Sequence, residues 1–157
     1  MNSRTEMPRT GFGRAALALT FLGAAAVLLG SVGTWIKSDL ADLTVGGLGK
    51  DGPFLIVLAL IVVAQAVMTL TVGVKRPLSL LGGAVAAGLA AIIGFADLSD
   101  VSSNSLGGAI ETGWGLQLAA VASVAMLIGA VMMLVAVRRE AGAASPSEPA
   151  APAVSQG

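Results

Sequence analysis

GPFLIVLALIVVAQAVMTLTVGV, residues 52–74, is followed by Lys75-Arg76 and then by PLSLLGGAVAAGLAAIIGFA, residues 77–96. Two uncharged stretches of 23 and 20 residues are thus separated by two basic residues. A hydrocarbon core of about 30 Å is crossed by roughly 20 apolar residues at helical rise, and backbone polar groups there must be satisfied internally, so both stretches predict transmembrane helices. The turn between them is too short for anything but antiparallel neighbours. Pro53 and Pro77 stand where a helix can begin without losing a hydrogen bond.

Working outward, Ala15–Ile36 (22 residues) and Thr112–Val137 (26 residues) are equally free of charge. The expected fold is therefore an all-α membrane protein: an antiparallel bundle of four transmembrane helices, about 15–36, 53–74, 77–96 and 114–137. Outer loops at 37–52 and 97–113 would join them, with a cytoplasmic segment 1–14 in front. The first run also admits a signal-peptide reading, but its length exceeds the roughly 7–15 apolar residues of such a segment, and an uncleaved helix is expected. Residues 138–157, with Pro146, Pro149 and Pro152 among Ala, Ser and Glu, read as a cytoplasmic disordered tail.

Composition agrees: 55% of the 157 residues are hydrophobic and 11% charged, where soluble domains carry about a quarter charged. Nine basic and nine acidic residues cancel, which argues against a nucleic-acid partner. The chain has no Cys, His or Tyr, so thiolate chemistry and the commonest general base and metal ligand are missing. No catalytic residue set, cofactor site or metal site is expected, and an enzyme is disfavoured.

Placed alternately on two sides, the charges put Arg4, Arg9, Arg14, Lys75, Arg76, Arg138 and Arg139 with the termini and only Lys37 and Lys50 opposite. The bias predicts cytoplasmic N- and C-termini in a cell (inner) membrane. Trp35 and Trp114, at the outer ends of the first and fourth runs, are expected to anchor at the headgroup level.

Small residues four apart recur at Ala26/Gly30, Gly83/Ala87, Ala84/Gly88, Ala90/Gly94 and Ala125/Gly129. Such pairs let helix backbones approach, so Gly30, Gly88, Gly94 and Gly129 are expected packing positions. Gln65, mid-run, is expected to hydrogen-bond across helices. The bulky second run, Phe54 to Val63, would face lipid or a partner subunit.

Asp39-Leu40-Ala41-Asp42 recurs as Asp97-Leu98-Ser99-Asp100, and five of eleven positions are identical between 39–49 and 97–107. Duplication of a helical hairpin and coincidence within a biased composition are both open. Under duplication, Asp39, Asp42, Asp97 and Asp100 would gather in an outer acidic rim, which is expected to be solvated surface and not a calcium site.

Trp35, Gly47-Leu48-Gly49-Lys50-Asp51-Gly52 and Gly113-Trp114-Gly115-Leu116 together resemble a group of small four-span membrane proteins of unassigned function that is abundant in actinobacteria; Thr34 departs from the Pro often found there. The resemblance implies an inner-membrane bundle and supplies no activity. A looser likeness to claudin-type four-span proteins lacks the paired loop cysteines, and the loops look too short for an extracellular sheet. The expected role is that of a non-enzymatic accessory or structural subunit. It would act through helix and outer-loop contacts with the bilayer and with a membrane-protein partner or a second copy. The alternative is a small transporter or channel component.

Overall fold

The computed structural model describes residues 11–38, 43–72, 78–104 and 110–143. In chain order they form α1 (Gly11–Val32), β1 (Thr34–Ser38), β2 (Leu43–Gly46), a 3-10 turn (Gly47–Gly49), α2 (Gly52–Val72), α3 (Leu78–Ser103), β3 (Ile110–Thr112) and α4 (Trp114–Ala143). All four helices are long and apolar enough to cross a membrane. They form an antiparallel bundle in which α1 and α4, the elements furthest apart in sequence, share the most extensive interface.

That interface is built from small residues. Gly23 lies against Met126, Gly30 against Ala119 and Gly129 against Thr20, one constant antiparallel register along both helices. A Cβ on Gly30 would stand 2.7 Å from the Ala119 backbone nitrogen, and one on Gly129 2.6 Å from that of Thr20. Here backbone meets backbone, the close approach that small residues permit between membrane helices. The buried hydroxyls Thr20, Ser31 and Ser123 cost little, because each donates to a carbonyl of its own helix: Ala16, Val27 and Ala120 respectively.

Gly94 also marks a helix crossing, since its Cβ would come within 3.1 Å of the Ala120 Cα. Gly88 does not. Its nearest neighbour is one methyl of Leu127 at 4.0 Å, and the expectation of a close contact there is corrected. On α2, Leu55, Ala59, Val62 and Ala66 recur on one buried stripe, while Phe54, Val57, Leu60, Ile61, Val67 and Met68 are exposed. The bulky run therefore faces outward on one side only. Gln65 makes the expected link across helices: its Oε1 accepts from the Gly83 backbone N–H at 2.8 Å, joining α2 to α3.

Three helices differ in their boundaries from the sequence reading. α1 starts at Gly11 and stops at Val32, because Thr34–Ser38 pairs into a sheet. α3 runs seven residues past Ala96, and its end is satisfied by Ser102, Ser103 and Asn104, whose side chains donate to the Ser99 and Asp100 carbonyls. α4 continues to Ala143, so residues 138–143 are helical and not tail. The Lys75-Arg76-Pro77 turn, residues 1–10 and the tail from 144 onward lie outside the described residues.

The sheet is the main departure from the all-helical expectation. It has three antiparallel strands in the order β2-β1-β3 and caps one end of the bundle. Neither outer loop is long enough to build it alone, but β1 and β2 make a hairpin within the first loop and β3 comes from the approach to α4. β1 also links the α1 end to the start of α4, through Ile36↔Thr112, Lys37↔Glu111 and Ser38↔Ile110.

Candidate functional site

The cap is where the motifs singled out in the sequence converge. β1 pairs with β2 through Thr34↔Gly46 and then Ile36↔Val45, which leaves Trp35 as the extra residue of a bulge. A bulge re-aims a side chain, and this one turns the indole inward. Trp35 is 1% exposed, and its Nε1–H donates to the Gly30 carbonyl at 2.9 Å. That carbonyl belongs to the last turn of α1 and also accepts from the Gly33 N–H at 3.1 Å. The indole thus closes the helix end, and Trp35 cannot also serve as the headgroup anchor expected of it. Trp114, at the first residue of α4, remains 54% exposed.

Glycines make the closure possible. Gly47 lies so close to the Ser31 carbonyl and the Trp35 indole that a side chain would collide with both. Gly52 faces the Gly47 and Ser31 carbonyls, with a Cβ position only 2.5 Å from the former. Gly113 is pressed against the Thr34 carbonyl, and Gly115 packs on Gly33. Backbone bonds complete the joint: Gly47 N–H to Gly33 O at 3.0 Å and Gly113 N–H to Trp35 O at 2.7 Å. Leu116 is fully buried beneath. The Gly-Leu-Gly-Lys-Asp-Gly and Gly-Trp-Gly-Leu segments, far apart in the chain, are therefore two sides of one joint around Trp35.

The acidic residues divide. Asp39 and Asp42, between β1 and β2, lie outside the described residues, while Asp97 and Asp100 sit on the last turns of α3. The two halves of the sequence repeat consequently differ in conformation. Residues from 43 on enter a strand, whereas the matching residues from 101 on continue a helix. This overturns the picture of two equivalent hairpins. Asp97 is directed at Asp51, at the start of α2, with Lys50 and Asp100 also within electrostatic range. Its Oδ2 is shut off from solvent without a hydrogen-bond partner among the described residues.

Two polar groups that a transport pathway would use do not meet. Gln65 faces Gly83 in the half of the bundle away from the cap, with the Thr69 hydroxyl bonded to the Gln65 carbonyl. Gln117 is exposed within a turn of the cap. What the cap presents instead includes two exposed leucines, Leu43 on β2 at 55% and Leu48 on the 3-10 turn at 58%, beside the exposed Lys37, Thr44, Lys50 and Glu111. Sequence reading missed Gly33, Gly113 and Gly115 as structural residues, although their alternation with Trp35 and Trp114 was visible. Comparison of the chain with protein-family models, with curated proteins and with solved structures finds no match.

Proposed function

We propose that this chain is a non-enzymatic multi-pass protein of the cell membrane with cytoplasmic termini. It acts as an accessory or structural subunit through its helices and its external cap, against another membrane protein or a second copy. The observation that carries this reading is the cap itself. A joint of backbone contacts around Trp35 fixes a small sheet to the helix ends, yet leaves Leu43, Leu48 and Trp114 exposed above it. Holding apolar side chains outward on a rigid base suits a contact surface, since little ordering entropy is then lost on binding. The bundle supports the same reading, because its buried hydroxyls are used within their own helices.

The distribution of charge gives the orientation, with seven basic residues on the side of the termini and two on the side of the cap. Reporter fusions after Arg139 and at Lys75-Arg76 are expected to behave as cytoplasmic, and fusions within 40–50 as external. An external signal at the C-terminus would reject this orientation. Because the chain has no cysteine, Leu48→Cys and Val57→Cys provide single attachment points for a crosslinker in intact cells. A discrete adduct formed from position 48 and not from 57 supports the cap as the contact surface; adducts from neither position would reject it.

A further inference from the structure

The antiparallel register of α2 on α3 brings two carboxyl groups face to face beneath the cap. Gln65 meets Gly83 through its side chain. Fourteen residues from each, in the direction of the cap, stand Asp51 and Asp97. Fourteen residues are close to four whole turns, so both lie within about 40° of the face on which Gln65 and Gly83 meet. The two carboxyls are within hydrogen-bonding range of each other. Yet Asp97 Oδ2, shut off from solvent, has no hydrogen-bond partner among the described residues. An ionised carboxylate only accepts hydrogen bonds, so two of them cannot bond to one another until one takes up a proton.

The surroundings favour that proton. Lys50, just before Asp51, is the one cation acting on Asp97 among the described residues, and Asp100 on the same helix adds a further negative charge. On β3, Glu111 is exposed and sits across from Lys37 in the strand pairing, while α4 carries no charged residue from Trp114 to Val137. One cation thus stands against three carboxylates. Because the chain has no His, a response near neutral pH has to come from carboxyls in such company. Paired carboxyls keep one proton at pH values where isolated ones have released theirs.

We propose that Asp51 and Asp97 share one proton and form a pH-sensitive latch between the start of α2 and the end of α3. With the proton in place, one carboxyl donates to the other across the two helices. Without it, like charges face each other. The latch bears on the cap, because the Asp51 carbonyl accepts the first bonds of α2, from the Phe54 and Leu55 N–H groups. The next residue, Gly52, packs on Gly47 and Ser31 in the joint around Trp35. Only the folded chain turns the repulsion into a bond, so folding takes up a proton and stability rises as pH falls through the range in which the pair titrates. The latch depends neither on the orientation of the chain nor on what its cap contacts.

The test combines infrared spectroscopy with thermal unfolding of the full chain in neutral detergent, from about pH 8 to about pH 5. Wild type is expected to show the carbonyl stretch of a protonated carboxylic acid at about pH 6, where solvated Asp and Glu are ionised, and to melt at a higher temperature at the acid end. Asp97→Asn and Asp51→Asn each replace the shared proton by an amide donor. Either should lose the infrared band and flatten the pH dependence of the melting temperature. Asn caps a helix as well as Asp does, so Asp51→Asn leaves the start of α2 intact. Glu111→Gln, away from the pair, should keep both signals. Should one Asn variant fail to fold, the wild-type band and its loss in the other variant decide the matter. A wild type without the band would overturn the proposal, and so would a band and a pH dependence that persist unchanged in the Asn variants.

Discussion

Gly129→Ala and Gly88→Ala make the same chemical change in two helices of one bundle, and the structure requires them to act in opposite directions. The new methyl at Gly129 would lie 2.6 Å from both the backbone nitrogen and the hydroxyl of Thr20, and 3.0 Å from its Cα. Ordinary carbon contacts begin near 3.5 Å, so α1 and α4 would have to separate by about 1 Å. The obstacle is mainly backbone, and Thr20 is held by its bond to the Ala16 carbonyl, so no rotamer change relieves it. Overpacking of this kind costs about 1–3 kcal/mol, from which the better helix propensity of Ala recovers roughly 1 kcal/mol. The net loss is about 0–2 kcal/mol. At Gly88 the nearest atom is 4.0 Å away, leaving only the propensity gain of up to about 1 kcal/mol. Reversible unfolding in mixed micelles of rising denaturing-detergent fraction should therefore separate the two variants by about 1–3 kcal/mol, with Gly88→Ala the more stable. Equal midpoints, or a more stable Gly129→Ala variant, would refute the α1–α4 register.

Two further outcomes follow from the cap. Trp35→Phe keeps an aromatic ring but removes the donor to the Gly30 carbonyl, and should lower stability by about 1–2 kcal/mol in the same assay; no change would mean that the indole does not close α1. Asp97→Asn removes a carboxylate directed at Asp51 whose Oδ2 has no hydrogen bond among the described residues, and should stabilise the protein by about 1 kcal/mol at neutral pH, read as a higher melting temperature. Destabilisation by Asp97→Asn would show that the charge is needed where it sits.

The helices were legible because hydrophobic length is a coarse signal that survives any detail of packing. Gln65 was legible for the same reason: an amide within an apolar run must find a partner wherever it faces. The glycines were legible only in part. At about 100° per residue, Gly88 and Gly94 lie about 240° apart around α3, so a shared spacing pattern could not tell which of them faces a neighbour. Gly94 meets Ala120, and Gly88 does not meet a backbone. The end of α1 was misread because Thr34-Trp35-Ile36 is apolar enough to continue a membrane helix. Its assignment as a strand depends on partners at 43–46 and at 110–112, and the bulge that buries Trp35 exists only once the pairing with 43–46 has formed. The acidic repeat misled for a related reason. The same Asp-Leu-x-Asp letters precede a strand in one place and lie within a helix in the other, and the surrounding contacts decide which.

The central position of β1 imposes an order on biosynthesis. When the ribosome has delivered the first two helices, β1 can pair with β2, but its other edge stays open and the glycine-lined side of α1 has nothing to rest on. Both vacancies are filled by one late segment, Ile110 onward, which supplies β3 and then α4. A chain that stalls or is cut before that point is left with an unpaired strand edge on one side of the bilayer and an unmatched helix face within it. These are the features by which unfinished proteins aggregate or are recognised for removal. Docking of the segment from Ile110 onward therefore covers both the β1 edge and the glycine-lined face of α1.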